Sequence, residues 1–118
     1  MTNRPSLTVS LEPVATRSAQ VMTLSGKLLG TPEAYEFLEE TRERIQAGRS
    51  NVYLEMSRVE MINSSGAGIL AAITMSARRQ GGKLVLVALQ DRCRRILEFM
   101  CLQQVVVFAD TLGDLAES

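Results

Sequence analysis

Histidine is absent from all 118 residues, cysteine occurs twice, and the 13 basic side chains are matched by 13 acidic ones. Without histidine, most hydrolytic triads, most zinc enzymes and the commonest general base are excluded. A net charge of zero removes the usual electrostatic case for nucleic-acid or anionic-membrane binding. Cys93 and Cys101 lie eight apart, outside CxxC spacing, and read as reduced thiols used as small apolar side chains. The opening residues MTNRPSLTVS lack the apolar core of a signal peptide. The longest apolar stretch, Gly66 to Met75, is too short to span a bilayer and is interrupted by Thr74. These shortages predict a soluble cytoplasmic binding protein without cofactor or metal, and not an enzyme.

What is present is a globular composition. The 46% hydrophobic fraction suits one domain with a real core. Residues 1–6 are polar, contain Pro5, and predict a flexible end ahead of a domain over 7–117.

The pattern then alternates strands and helices. Leu7, Val9 and Leu11 alternate with polar residues, the period of a half-buried strand, and Val21–Leu28 supplies a hairpin partner. Thr31-Pro32-Glu33 is a helix start, with Thr31 as cap, and Gly48 follows the helix end, so a helix is expected over Thr31–Ala47. Asn51–Met56 reads as a short buried strand, followed by a helix from about Ser65 to Arg79 that Gly81-Gly82 terminates. Lys83–Leu89 is the most hydrophobic strand and is expected at the sheet centre. Asp91 would cap a helix to about Cys101, with Cys93, Ile96, Leu97 and Met100 inward. Val105–Phe108 gives a last strand and Thr111–Glu117 a final helical turn or two. The order β-β-α-β-α-β-α-β-α predicts an α/β domain. Its mixed sheet should have four to five strands, with helices mainly on one side, right-handed parallel crossovers and one antiparallel edge.

Most information sits in Asn63-Ser64-Ser65-Gly66-Ala67-Gly68. Asn63 or Ser64 can cap the following helix through a side-chain oxygen. One cap does not need two further hydroxyls. Gly66 and Gly68 each cost about 1 kcal/mol relative to alanine in a helix, which predicts close approach by something.

With this segment the chain resembles the STAS domain, and within it the bacterial anti-sigma-factor antagonists. The resemblance runs from about Leu7 to Leu115. It includes Leu24-Ser25-Gly26-Lys27-Leu28, Gly81–Val87, Arg94–Leu97, Leu102 and Val105–Phe108. The family signature reads Asp-Ser-Ser-Gly, and its first serine is phosphorylated by an anti-sigma factor that is also a serine kinase. The resemblance therefore implies Ser64 as phosphoacceptor, that kinase as partner, and a serine phosphatase that reverses the modification. It implies release of the sigma factor while Ser64 is free. Asn63 stands where the signature has an acid, and Leu29 where the family often has one.

A phosphate on Ser64 would add about −1.5 to −2 charge at a helix N-terminus, where the dipole tolerates it, so its effect should fall on a docked partner. Ser64, Gly68, Ala71, Met75 and Arg78 share one helical side. With Asn63, Ser65 and Gly66 they are the expected partner-binding residues. Arg92, Arg94 and Arg95 read as a solvated face, since no glycine-rich phosphate loop accompanies them. Two other readings stand beside the antagonist. One is a constitutive STAS subunit or scaffold of a signalling or lipid-transport assembly; the other, much weaker, is an enzyme using Ser64 as nucleophile. An apolar helix face is also compatible with a weak homodimer.

Overall fold

The computed structural model describes residues 5–115. Five strands form one sheet in the order β1-β2-β3-β4-β5: β1 (Leu7–Glu12), β2 (Ala19–Leu28), β3 (Asn51–Ile62), β4 (Lys83–Val87) and β5 (Val107–Ala109). β1 pairs antiparallel with β2, and the remaining neighbours are parallel. The parallel crossovers carry α1 (Pro32–Gln46), α2 (Ser64–Arg79) and α3 (Asp91–Phe99). The mixed α/β sheet is the one expected, with β3 and not β4 in the middle.

The helix ends follow their sequence signals. Thr31 accepts a hydrogen bond from the Ala34 N–H, and Pro32 occupies the first turn of α1. Past the ends of α1 and α2, Gly48 and Gly81 take positive φ, which glycine adopts without a Cβ penalty. Arg49 N–H then donates to Arg44 O, and Gly82 N–H to Ala77 O, satisfying carbonyls the helices leave free.

The main core lies between the three helices and one sheet face, with Met22, Leu24, Leu54, Met56, Leu70, Ile73, Leu84 and Leu97 fully enclosed. The opposite face buries a smaller group, Ala19, Val21, Tyr53, Val85 and Val87, beneath Val14 and Leu112. Buried Gln20 donates to the Arg49 carbonyl and accepts from the Arg44 guanidinium at 2.7 Å, so its polar atoms are satisfied.

Several expectations need correction. β3 runs to Ile62, far past Met56, because its second half continues the ladder with β2. β4 pairs only with Asn51–Glu55, leaving the other edge of that extension open. The start of α3 covers it: Gln90 Nε2 donates to Ser57 O at 2.9 Å, and buried Cys93 Sγ donates weakly to Val59 O at 3.5 Å. Burial pushes the Cys93 thiol up, against a smaller downward pull from Arg92, so it stays protonated to donate. Val9 and Leu11 are 37% and 56% exposed, because the helical layer covers β1 only near Leu7. Ser6 is not part of a frayed end, since its N–H and hydroxyl both donate to Glu33 Oε1.

α3 stops at Phe99, before the expected Cys101, because Cys101 takes the left-handed conformation. Gln90, not Asp91, is its N-cap, and Ile96 and Met100 are more than one third exposed while Cys93 and Leu97 form its buried side. The last strand starts at Val107; Leu102–Gln104 and Leu112–Leu115 are 3-10 turns. Of the expected final helix, Ala116 and Glu117 lie outside the described residues.

Two predictions follow from the packing. The Glu33 carboxyl sits below the usual carboxylate range because its own backbone N–H, the Ser6 hydroxyl and the Ser6 N–H all favour its charged form. A folded-state value below the unfolded one stabilises above the unfolded pKa of about 4.3 and is lost as pH falls through the folded value. Denaturant melts should therefore show Glu33→Gln less stable than the parent at pH 7, with the gap closing under acid.

The second concerns α2. A Cβ at Gly66 would strike the Leu28 carbonyl oxygen and lie 2.8 Å from its carbon, whereas one at Gly68 meets nothing within 4 Å. Gly66→Ala should destabilise by about 2 kcal/mol and Gly68→Ala stabilise by about 1 kcal/mol, measured by urea unfolding.

Candidate functional site

β3 delivers the chain directly into the first turn of α2. Ile62, the last strand residue, is buried, and Asn63 takes the extended backbone of a cap. Asn63 Oδ1 accepts from the Gly66 N–H at 2.9 Å, and the Asn63 carbonyl accepts from the Ala67 N–H. Its own N–H donates to Leu28 O at the end of β2. Asn63, not Ser64, is therefore the cap, and α2 begins one residue earlier than expected.

This division leaves Ser64 with no structural duty. It is exposed at the first helical position, and its hydroxyl has no hydrogen-bond partner among the described residues. Ser65 is also exposed but is turned toward the β2–α1 connection. A Cβ placed on Gly30 would lie 3.0 Å from Ser65 Oγ and 3.7 Å from the Tyr35 hydroxyl. The two serines thus occupy different surroundings, the first open to solvent and the second backed by a neighbouring loop.

The expected docking residues sort into a surface and its support. Ser64, Gly68, Met75 and Arg78 are exposed and Ala71 is half-buried, so their shared helical side faces outward. Gly66 does not belong to that surface: it is buried against Leu28, where its missing side chain lets α2 sit close to the strand end. The close approach expected of both glycines thus holds inside the chain for Gly66 alone. Ile69, Leu70, Ile73 and Ala77 form the inward side.

Two further large side chains are exposed on neighbouring elements. Tyr35 is 49% exposed on the first turns of α1, and Met61 is 48% exposed, paired in register with Lys27. Each had a signal in the sequence. Tyr35 lies off the apolar stripe of Ala34, Leu38, Thr41 and Ile45, and Met61 alternates with buried Ile62 at a strand end.

The electrostatics are one-sided. No acidic residue stands in the first turn of α2, and Arg78 and Arg79 fill the last. The free N–H groups at Ser64 therefore keep the full positive end of the helix dipole. The basic cluster on α3 behaves as a solvated face. Arg92, Arg94 and Arg95 are exposed, with Arg94 stacked 4.3 Å over the Phe108 ring and 3.6 Å from Glu98. Among the described residues, no group of three or more His, Cys, Asp or Glu side chains is arranged to hold a metal. Nor is any helix there long and apolar enough to cross a membrane.

Known proteins share this fold. The model of the STAS domain matches residues 11–115. A Thermotoga maritima protein named "Putative anti-sigma factor antagonist" is 29% identical over 75 residues, covering 64% of this chain and 66% of the relative, just under two thirds. A Thermotoga maritima crystal structure described in the same words superposes with a TM-score of 0.76 at 25% identity, covering 92% of this chain and 91% of that one. The anti-sigma factor antagonist SpoIIAA, in its unphosphorylated form, gives 0.78 at 20% identity over 93% of this chain and 95% of its own. The phosphorylated form of SpoIIAA from Bacillus gives 0.66 at 20% identity over 93% and 98%. The match to the family model spans nearly all of the sheet and every helix described above, and the chain belongs to the STAS domain family.

Proposed function

We propose that this chain is an anti-sigma-factor antagonist whose binding is switched by phosphorylation of Ser64. In this reading the unmodified chain binds an anti-sigma factor that is also a serine kinase, and so frees a sigma factor. Phosphorylation breaks that complex, and a serine phosphatase restores it. The chain acts by binding and has no turnover of its own. One observation carries the reading. Asn63 performs the capping that a serine at this helix start could perform, so the Ser64 hydroxyl stands exposed without a partner among the described residues. SpoIIAA, solved in unphosphorylated and phosphorylated forms, lends the same reading support by likeness of fold.

The physics of the switch is local. A phosphate on Ser64 would meet the free N–H groups and positive dipole of α2, so the domain tolerates it. Asn63 contributes no charge to oppose it. A docked partner would face a dianion and its bound water across a closed interface, where charge without a counter-charge is costly. Gly68 fits the same picture. It costs the helix about 1 kcal/mol, yet nothing within the chain lies close to it, which leaves room for a partner backbone.

A second reading, a constitutive STAS subunit of a larger assembly, is favoured by Asn63 in place of the family acid. It needs the same exposed side of α2 but no modification.

Titration calorimetry against the kinase, with melting curves, separates the two. Ser64→Glu should weaken binding by about 2–5 kcal/mol, roughly 30-fold or more in affinity, with stability changed by about 1 kcal/mol or less. Ser64→Ala should bind like the parent. Equal binding by Ser64→Glu and the parent would remove the switch and leave the constitutive subunit in its place.

A further inference from the structure

The exposed side of α2 does not end on a convex helix. Between its last two turns and the segment 102–105 lies an open groove of about 380 Å³. Ala71 and Thr74 contribute from the helix, Leu102 and Val105 from the opposite bank, and Met75 from the docking side. Thr74 brings no free polar group, because its hydroxyl donates to Leu70 O within the helix. Met75 and Val105 are 55% and 37% exposed, so apolar atoms meet water along the groove. Arg78 and Arg79 complete the lining, and neither has an ion-pair partner among the described residues.

Helix-end compensation favours both Arg78 and Arg79 in the last turn of α2. It does not explain why both line an apolar depression with no ion-pair partner among the described residues. No carboxylate contributes to the groove, although the chain carries as many acids as bases. Such a site complements a segment with an apolar side chain flanked by carboxylates. The apolar part would fill the groove, as aromatic and aliphatic anchors do at interface centres. The carboxylates would pair with the fork-shaped donors of Arg78 and Arg79.

We propose that the groove between α2 and residues 102–105 receives an apolar anchor from an acidic segment of the anti-sigma-factor kinase. This makes Arg79, Leu102 and Val105 part of the docking surface. The inference rests on the antagonist reading and deepens it. Ser64 then acts as the switch at the start of α2, and the groove near its end holds and orients the partner. Because net charge is zero, attraction of the acidic segment comes from this local pair and not from the field of the whole chain.

The test is surface binding of the purified anti-sigma-factor kinase to the full chain across a salt series. Val105→Glu, which places a charge of the segment's own sign on the bank opposite the docking helix, should weaken binding at least ten-fold. Val105→Thr, of nearly the same shape, should give a smaller loss in the same direction and serves if the glutamate variant melts early. The double change Arg78→Glu with Arg79→Glu should weaken binding at least ten-fold and flatten the salt dependence of association. Unchanged affinity in the Val105 variants or in the charge-reversed one, while the parent binds and Ser64→Glu does not, would overturn the groove and leave the switch standing. A parent chain that binds no such kinase would overturn both.

Discussion

Where α2 begins its first turn, the Leu28 carbonyl occupies the space that a side chain at position 66 would need. That single approach sets the site. The carbonyl accepts from the Asn63 N–H, Gly66 packs against it, and Asn63 Oδ1 closes the first turn by accepting from the Gly66 N–H. Three groups from two elements therefore hold the start of α2 on the end of β2. The long pairing of β3 with β2, continuing to Ile62 opposite Leu28, brings the chain there in register. Everything proposed for Ser64 depends on this, since a hydroxyl on a loosely held turn would present no fixed surface.

The anchoring also separates buried and committed groups from exposed ones within five residues. Ile62 and Gly66 are buried and Asn63 is committed to the cap, whereas Ser64 and Ser65 are exposed. A neutral cap does the hydrogen-bonding work that an acidic one would do, without placing negative charge beside Ser64. The positive end of α2 is consequently left for whatever anion arrives. Its other end carries Arg78 and Arg79, so both ends of the exposed side favour negative groups, one through the helix dipole and one through side chains.

Much of this was legible in the sequence, for identifiable reasons. Thr31-Pro32-Glu33 and Gly48 bounded α1 because capping and left-handed backbone are local properties. The Asn63–Gly68 segment announced a helix start with surplus hydroxyls, and the fold places Ser64 outward as the spacing required. What stayed hidden depends on tertiary neighbours. The length of β3 follows from its ladder with β2, and the exposure of Val9 and Leu11 from the limited reach of the helical layer. The fates of Gly66 and Gly68, alike on paper, were divided by one carbonyl. The groove involving Val105 needs the 3-10 turn at Leu102–Gln104, in a stretch that periodicity assigned partly to a strand.

The central claim is that modification of Ser64 changes a surface and leaves the fold as it was. Two-dimensional amide NMR of the chain phosphorylated stoichiometrically at Ser64, compared with the unmodified chain, addresses it most directly. The account predicts a fully dispersed spectrum. Large shifts should be confined to the first turn of α2 and the adjoining Leu29–Thr31 connection, with the amides of β3, β4 and the end of α2 unmoved. Widespread shifts through the sheet, or collapse of dispersion, would contradict it and make the switch a conformational one.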